Sequence, residues 1–249
     1  MKTKRRKIVL TVLLSLLLIL LAVAVYFFQF QGEYRLTVPY RPNFQEIAPH
    51  IYMNKGNAMS AEEALAVFEE AKARNTAFFG EMHAPDDFML IICDDAEISR
   101  KIGEKDTTTY LFPQKKDWIC ISNEWYHVDV VAHELTHAEL HSHFTTGDAQ
   151  RKLPSWFDEG VATQNDYREQ YSYENWVRQT DNGKTAVAIE DMDTPQEFYA
   201  GEPDERQFRY LCAKHEIAVW LERHSAAELL AVADGVNSGE DFDTLYFAE

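Results

Sequence analysis

The chain has 249 residues, which allows one sizeable domain with additional segments, and its formal net charge is −17 at pH 7. Without the five basic residues of its first seven positions, 19 of the 24 Lys and Arg remain against 41 Asp and Glu, a net charge of −22. A surface this acidic repels nucleic acid and anionic lipid, so we expect no nucleic-acid partner.

The N-terminus carries a basic tail and a long apolar segment. Residues 1–7 are basic, and residues 8–30 contain no charged side chain. A segment of this length can cross a hydrocarbon core about 30 Å thick. The positive-inside rule therefore predicts a cytoplasmic tail at 1–7, a transmembrane signal anchor at 8–30 and an extracytoplasmic body. Cleavage as a signal peptide at Ala22-Val23-Ala24 is the alternative.

The segment after the anchor shows no sustained periodicity. Residues 31–57 contain Pro39, Pro42 and Pro49, which is typical of a stalk, so the domain is predicted to span 58–249. Ser60 and Glu63 then form a capping box that predicts the start of a helix ending near residue 75.

The next segments predict a small mixed sheet. Phe88–Cys93 is short and apolar, as a central strand is, and a short helix is expected over 95–102. Strands are expected over 107–112 and 117–122, with residues 113–116 as the turn between them. The edge of this sheet could accept an extended peptide as an additional strand.

An H-E-x-x-H motif follows the last predicted strand. His133 and His137 lie one helical turn apart, so both side chains can reach one ion, and Glu134 lies beside them. Two imidazoles suit zinc, which lowers the pKa of water to about 7, and a neighbouring carboxylate can accept the proton. Ser122 or Asn123 is the predicted N-cap of this helix, with Glu124 in the first turn.

The second half of the chain is predicted to be mostly helical. A helix is expected to begin at Pro154 or Ser155, and further helices are expected over 204–223, 226–234 and 242–247. The fold class is therefore α+β, with a small mixed sheet that has an edge strand, a mostly helical remainder and one N-terminal transmembrane helix.

A catalytic zinc site has three protein ligands, and Glu159 is the predicted third. It lies 22 residues after His137, which leaves room for a second helix to return antiparallel, and Gly160 allows close backbone approach. His143 is the alternative, because its spacing from His137 matches metzincins, although that turn needs glycine where Leu140 stands. His141 is excluded as a ligand because its Cα lies ~12 Å from that of His133. We expect His141 and His143 to be solvated.

The H-E-x-x-H motif followed by Trp156-Phe157-Asp158-Glu159-Gly160 resembles the gluzincin metallopeptidases, and most closely the peptidase-MA-like domains related to thermolysin and the membrane-alanyl aminopeptidases. The resemblance spans roughly 58–245 and implies a zincin-type domain. It implies that His133, His137 and Glu159 bind zinc and that Glu134 is the general base.

The same resemblance implies a residue that stabilises the oxyanion. Tyr210 is similar in placement to the tyrosine of such enzymes, and Tyr199 and His215 are weaker candidates. Thermolysin-like enzymes have an Asp four residues after the ligand Glu, where this chain has Thr163. We therefore expect Asp129, one turn before His133, to orient a ligand histidine.

Three cysteines lie in apolar runs, at Cys93, Cys120 and Cys212. We expect buried thiols, with a Cys93–Cys120 disulfide as the alternative.

The sequence predicts a membrane-anchored zinc endopeptidase that hydrolyses peptides or proteins outside the cytoplasm. The Gly-x-Met-Glu-Asn signature of aminopeptidases is absent, so an exopeptidase is not predicted. The alternatives are a metzincin-like peptidase that uses His143 and a non-enzymatic membrane-tethered zinc-binding module.

Overall fold

A computed structural model describes residues 2–30, 33–80, 82, 88–102, 106–111 and 116–247. Its strands are β1 (Phe44–Ala48), β2 (Ile51–Asn54), β3 (Phe88–Cys93), β4 (Asp106–Leu111) and β5 (Lys116–Ser122). They form one mixed sheet in the order β1-β2-β3-β5-β4, in which β2, β3 and β5 are parallel and the two edge strands are antiparallel to their neighbours. The predicted turn at 113–116 lies largely outside the described residues.

Helices make up most of the remaining described chain. The α-helices are α1 (Lys2–Phe30), α2 (Ala61–Phe79), α3 (Ala96–Ile102), α4 (Val128–Ser142), α5 (Gly147–Gln150), α6 (Ser155–Gln164), α7 (Tyr173–Gln179), α8 (Pro195–Phe198), α9 (Pro203–Trp220), α10 (Ala226–Ser238) and α11 (Phe242–Tyr246). Short 3-10 helices cover Glu33–Tyr40, Glu169–Tyr171 and Ile189–Asp191. The predicted α+β class, with a small mixed sheet and a mostly helical second half, is confirmed.

Helix α1 contains the long apolar segment near the N-terminus. Its stretch Lys4–Tyr26 is 23 residues long, and none of the residues in its most apolar part is buried. By length and composition α1 could cross a membrane, and a signal sequence would have the same properties.

The sheet is buried on both faces because its central strands are apolar throughout. Side chains alternate along a strand, so Phe88, Leu90 and Ile92 of β3 pack with α2 and α4. The intervening residues of β3 face the other way, where they pack with α3 and with Tyr34 and Val38 of the first 3-10 helix.

The prediction of a stalk over 31–57 is wrong for most of that segment. Residues 44–54 form β1 and β2, and β2 pairs in parallel with the central strand β3. Ile51 and Met53 are almost completely buried beneath the helices. The prolines do not indicate a stalk, because Pro39 lies inside the short 3-10 helix and Pro49 lies in the turn between the two strands. Proline is tolerated at both places.

The capping box at Ser60 and Glu63 is confirmed at the start of α2, but the predicted cap of the motif helix is wrong. Helix α4 begins at Val128, and its N-cap residue is His127. Ser122 still belongs to β5, and the backbone N–H of Asn123 bonds the carbonyl of Cys93 at 3.1 Å. The sheet therefore continues through the predicted cap.

A second apolar core lies among the C-terminal helices. Trp156 and Phe157, at the start of α6, pack against Phe242 and Tyr246 of α11 with ring centroids 5.1–5.8 Å apart. Helices α9 and α10 complete this core. The three cysteines are buried free thiols, as predicted.

Candidate metal centre

Helix α4 is buried along nearly its whole length because it lies between the sheet, α2 and α6. A polar network fixes its back face. Asn75 of α2 donates to the carbonyl of Ala132 at 3.0 Å and to the Thr136 hydroxyl at 3.1 Å, and Asn165 donates to the same hydroxyl at 2.8 Å. The motif residues lie on a neighbouring face of α4.

The structure brings His133, His137 and Glu159 together. The Nε2 atoms of the two histidines lie 3.1 Å apart, and Oε2 of Glu159 lies 3.3 Å from each of them. The two histidines are one turn apart on α4, and Glu159 comes from the first half of α6. All three are almost completely buried. These groups could hold a metal ion.

The triangle of donor atoms has the size that a tetrahedral ion requires. Zinc binds nitrogen and oxygen at about 2.0–2.2 Å, which separates neighbouring ligand atoms of a tetrahedron by about 3.3–3.5 Å. Oε2 of Glu159 is buried and accepts no hydrogen bond from the described residues. A buried carboxylate oxygen without a partner is costly, and a cation between it and the imidazoles would remove that cost. The residues present therefore fit a divalent ion.

The electrostatics of this cluster favour a carboxylate that stays ionised. Burial alone would raise the pKa of Glu159, but the neighbouring His137 and His133 imidazoles more than offset it and hold that pKa well below its usual range. Burial lowers the pKa of His137, whereas Asp158 and Glu159 raise it, and the net result lies well above the ordinary value. The ionised carboxylates of Asp158 and Glu159 supply the negative charge that a cation needs.

Asp158 orients the ligand candidate His137. Its Oδ1 accepts a hydrogen bond from Nδ1 of His137 at 2.8 Å, which leaves Nε2 of that imidazole free to face Glu159. The prediction that Asp129 takes this role is wrong. Asp129 instead pairs with Arg74 at 2.6 Å and accepts the backbone N–H of Tyr167 at 3.0 Å. Thr163, in the position where thermolysin-like enzymes have an Asp, donates to the carbonyl of Glu159.

His141 extends this network away from the cluster. Its Nε2 lies 3.3 Å from Oδ2 of Asp158, and its Nδ1 lies 3.1 Å from Oδ1 of Asp117 at the start of β5. Burial lowers the pKa of His141, but the charges of Asp158 and Asp117 more than offset it and raise the pKa to about 9. The prediction of a solvated His141 is therefore wrong.

His143 is also buried, and the prediction that it is solvated is wrong as well. Its Nδ1 contacts Oδ1 of Asp234 at 2.8 Å, and its Nε2 lies 3.9 Å from Glu139. In the described part of the chain, neither of the groups that could hold a metal includes His143. The second such group, His137, His141 and Asp158, is the hydrogen-bonded network described above.

The cluster lies on the floor of an open cleft of about 510 Å³. Glu134 is buried and lines the cleft beside His133 and His137. The remaining lining residues are Trp125, Val130, His141, Asp158, Glu159, Arg168, Gln170, Tyr171, Tyr199, Pro203, Arg206, Gln207 and Tyr210. A buried carboxylate next to three metal-ligand candidates in a solvent-open cleft is placed to exchange protons with a bound molecule.

Two tyrosines from the C-terminal helices reach the cluster. The Tyr210 ring lies 6.2 Å from that of His133, between centroids. Burial, followed by the charge of Glu159, raises the pKa of Tyr210 well above its ordinary value, so its hydroxyl stays protonated. The hydroxyl of Tyr199 donates to Oε1 of Glu159. His215 is not among the described residues that line the cleft; it stacks on Trp176 with centroids 3.4 Å apart.

Gly160 sets the distance between α6 and the helix that carries Tyr210. A Cβ at this position would lie 2.7 Å from the carbonyl oxygen of Ala213 and 2.9 Å from the Ile217 side chain. The close approach expected at Gly160 therefore exists, and it is made to α9.

Sequence reasoning missed the roles of Asp158 and His141 in this site. A signal for both was present, because His133, His137 and His141 follow at four-residue intervals and Asp158 adjoins Glu159. Tyr199 was expected only as a weaker oxyanion-donor candidate, and its contact with Glu159 had no local signal, since 40 residues separate the two. No family model, curated protein or solved structure matches this chain.

Proposed function

We propose that the protein is a membrane-anchored, zinc-dependent endopeptidase of the gluzincin type. In this proposal the zinc ion is bound by His133, His137 and Glu159. The observation that supports this best is the triangle of donor atoms, 3.1–3.3 Å on each side, with the buried Glu134 next to it in an open cleft. A site with structural purpose alone is usually closed, whereas this cleft leaves room for a substrate.

Bound zinc would supply Lewis acidity, which polarises a peptide carbonyl and makes water a stronger acid. Glu134 accepts the proton of the attacking water at its carboxylate and delivers it to the nitrogen of the departing amine. Asp158 holds the Nδ1 proton of His137, which keeps Nε2 of that imidazole available as a ligand atom.

Tyr210 is the proposed donor to the oxyanion. Its side chain keeps the hydroxyl proton, Tyr210 lines the cleft, and its ring centroid lies 6.2 Å from that of His133. Tyr199 is the weaker choice because its hydroxyl is already bonded to Glu159. A fixed donor placed where negative charge develops lowers the barrier to amide hydrolysis.

The substrate is proposed to be an extended peptide. Strand β4 is an edge strand, so one of its sides has no strand partner in the described sheet. It also contacts α4, the helix that carries the motif. Backbone pairing along this edge would hold a peptide next to the cleft. The proposed topology puts residues 1–7 in the cytoplasm and the cleft outside it, because the basic tail precedes the apolar helix.

The test is the Glu134→Gln variant of the full-length protein in detergent micelles. We expect the wild type and the variant each to bind about one zinc per chain. The casein-cleaving activity of the variant should be at least ~100-fold lower than that of the wild type. Zinc content is measured by atomic absorption and cleavage by mass spectrometry of the products. Equal cleavage by a zinc-loaded variant would contradict this mechanism, and a zinc-loaded wild type without any cleavage would favour a non-enzymatic zinc-binding module.

A further inference from the structure

Arg206 lines the wall of the cleft and is half-buried there. Its side chain forms no ion pair and no hydrogen bond with the described part of the chain. Its neighbour Glu205 does not neutralise it, because that carboxylate turns back to accept the backbone N–H of Glu202 at 2.8 Å. A guanidinium with five donors therefore lines the cleft without a partner among the described residues.

The other arginines near the site are occupied. Arg168, the second arginine of the cleft, forms a two-pronged contact with the buried carboxylate of Asp166. Arg209, three residues after Arg206, donates to the backbone carbonyls of Phe198 and Ala200. Arg206 is thus the cation of the cleft that has charge and donors left for a ligand.

Arg206 is also close to the proposed reaction centre. It precedes Tyr210 by four residues on α9, which is one helical turn and about 6 Å along the axis. The Tyr210 ring lies 6.2 Å from the His133 ring. An extended peptide advances about 3.3 Å per residue, so Arg206 can reach a group within two or three residues of the bond to be cut.

We propose that Arg206 forms a subsite for a carboxylate, which selects peptides with an acidic side chain near the scissile bond. The same guanidinium would bind a free C-terminus, and the enzyme would then cut close to the C-terminal end of its substrate instead of within the chain. The inference rests on the proposed peptidase function. Arginine binds a carboxylate through two parallel hydrogen bonds, and the net charge of −22 that the chain carries beyond its basic tail would otherwise repel an acidic peptide. The local cation therefore determines whether such a peptide can enter the cleft.

The experiment measures binding rather than turnover. Full-length, zinc-loaded Glu134→Gln protein in detergent micelles is dialysed against an equimolar mixture of N-acetylated hexapeptide amides. The peptides form pairs, and the two members of each pair differ only in carrying Glu or Gln at one position, which changes from pair to pair. A second pair differs only in a free or an amidated C-terminus, which separates the two sources of the carboxylate. Mass spectrometry quantifies the retained peptides.

We expect the charged member of one pair to be retained about fivefold more than its neutral partner at 50 mM salt. That member is either the Glu peptide at one position or the peptide with the free C-terminus. At 500 mM salt this preference should be smaller. Adding Arg206→Gln should abolish the preference, and Arg206→Lys should restore part of it. Adding Arg223→Gln, which removes the same charge at an exposed position outside the cleft, should leave the preference unchanged.

Equal retention of charged and neutral peptides, including no retention of either, would overturn the proposal. A preference that survives Arg206→Gln or disappears with Arg223→Gln would overturn it as well. Circular dichroism and zinc content show that each variant is folded and loaded. Failure of the peptidase hypothesis is seen separately, in the casein assay of the wild type.

Discussion

Asp158 and Asp234 make the same contact with two histidines, His137 of α4 and His143 directly after that helix. Each carboxylate accepts an Nδ1–H at 2.8 Å, from His137 in the first case and from His143 in the second. The difference lies at the other ring nitrogen. Nε2 of His137 faces Glu159 at 3.3 Å, whereas Nε2 of His143 lies 3.9 Å from Glu139, and neither His143 nor Glu139 belongs to a described group that could hold a metal. The first contact should therefore affect metal binding, and the second should not.

We predict that Asp158→Asn weakens zinc binding by about 10–100-fold. The amide still accepts one hydrogen bond, but it loses the negative charge and presents an N–H to His137 or His141. Competition with a chromophoric chelator measures the affinity. Asp234→Asn is the matched control and should leave the affinity unchanged. An equal loss in both variants would mean that Asp158 acts only through the stability of α4.

At the scale of elements, the contact between α6 and α9 determines how Glu159 and Tyr210 meet. The two helices approach so closely at Gly160 that a Cβ there would lie 2.7 Å from the Ala213 carbonyl. We predict that Gly160→Ala destabilises the protein by about 1–3 kcal/mol, because backbone atoms must shift to admit the methyl group. Urea unfolding of the metal-free protein measures this loss.

The double variant Gly160→Ala, Ile217→Ala, compared with Ile217→Ala alone, tests the cause of that loss. The substitution of Ile217 removes Cγ1, the atom that the new methyl group meets at 2.9 Å, but leaves the Ala213 carbonyl oxygen at 2.7 Å. Little recovery of stability is therefore expected. Full recovery would show that the two backbones can separate freely, and that Gly160 does not fix the position of Tyr210.

The ion pair between Arg74 and Asp129 joins α2 to α4 and should make stability depend on pH. Burial raises the pKa of Asp129, but the hydrogen bonds from Arg74 and from the Tyr167 backbone outweigh it and lower the pKa below the model-peptide value of about 3.9. A lowered folded pKa gives stability that is present above the unfolded pKa and is lost as pH falls through the folded pKa.

We therefore predict that Asp129→Asn costs about 1 kcal/mol at pH 6 and that the difference from wild type shrinks below about pH 4. Denaturant unfolding at a series of pH values in the presence of a chelator provides the measurement. Other titrating groups cancel in the difference between the two proteins. A difference that stays constant down to pH 3 would contradict the assignment of the shift to this pair.

At the scale of the whole molecule, the features that could be predicted from the sequence are those that depend on residues within one helical turn or one strand of each other. The capping box at Ser60, the apolar strand at 88–93 and the grouping of His133 with His137 depend on neighbours in the chain. Asp117 and Asp158 meet at His141 only because β5, α4 and α6 pack together. Residues 44–54 have no strong strand pattern of their own, and the pairing with β3 determines their structure.

This last point predicts where the folded unit begins. A fragment of residues 31–249 keeps β1 and β2, whereas a fragment of 58–249 exposes one edge of β3 and leaves the positions of Ile51 and Met53 empty. Each of these buried side chains contributes roughly 1.5–3 kcal/mol, and the total stability of a domain is only about 5–15 kcal/mol. We expect the longer fragment to unfold cooperatively on heating and the shorter one to aggregate without a transition. Calorimetry distinguishes the two results, and a cooperative transition in the 58–249 fragment would restore the view that residues 31–57 are a stalk outside the fold.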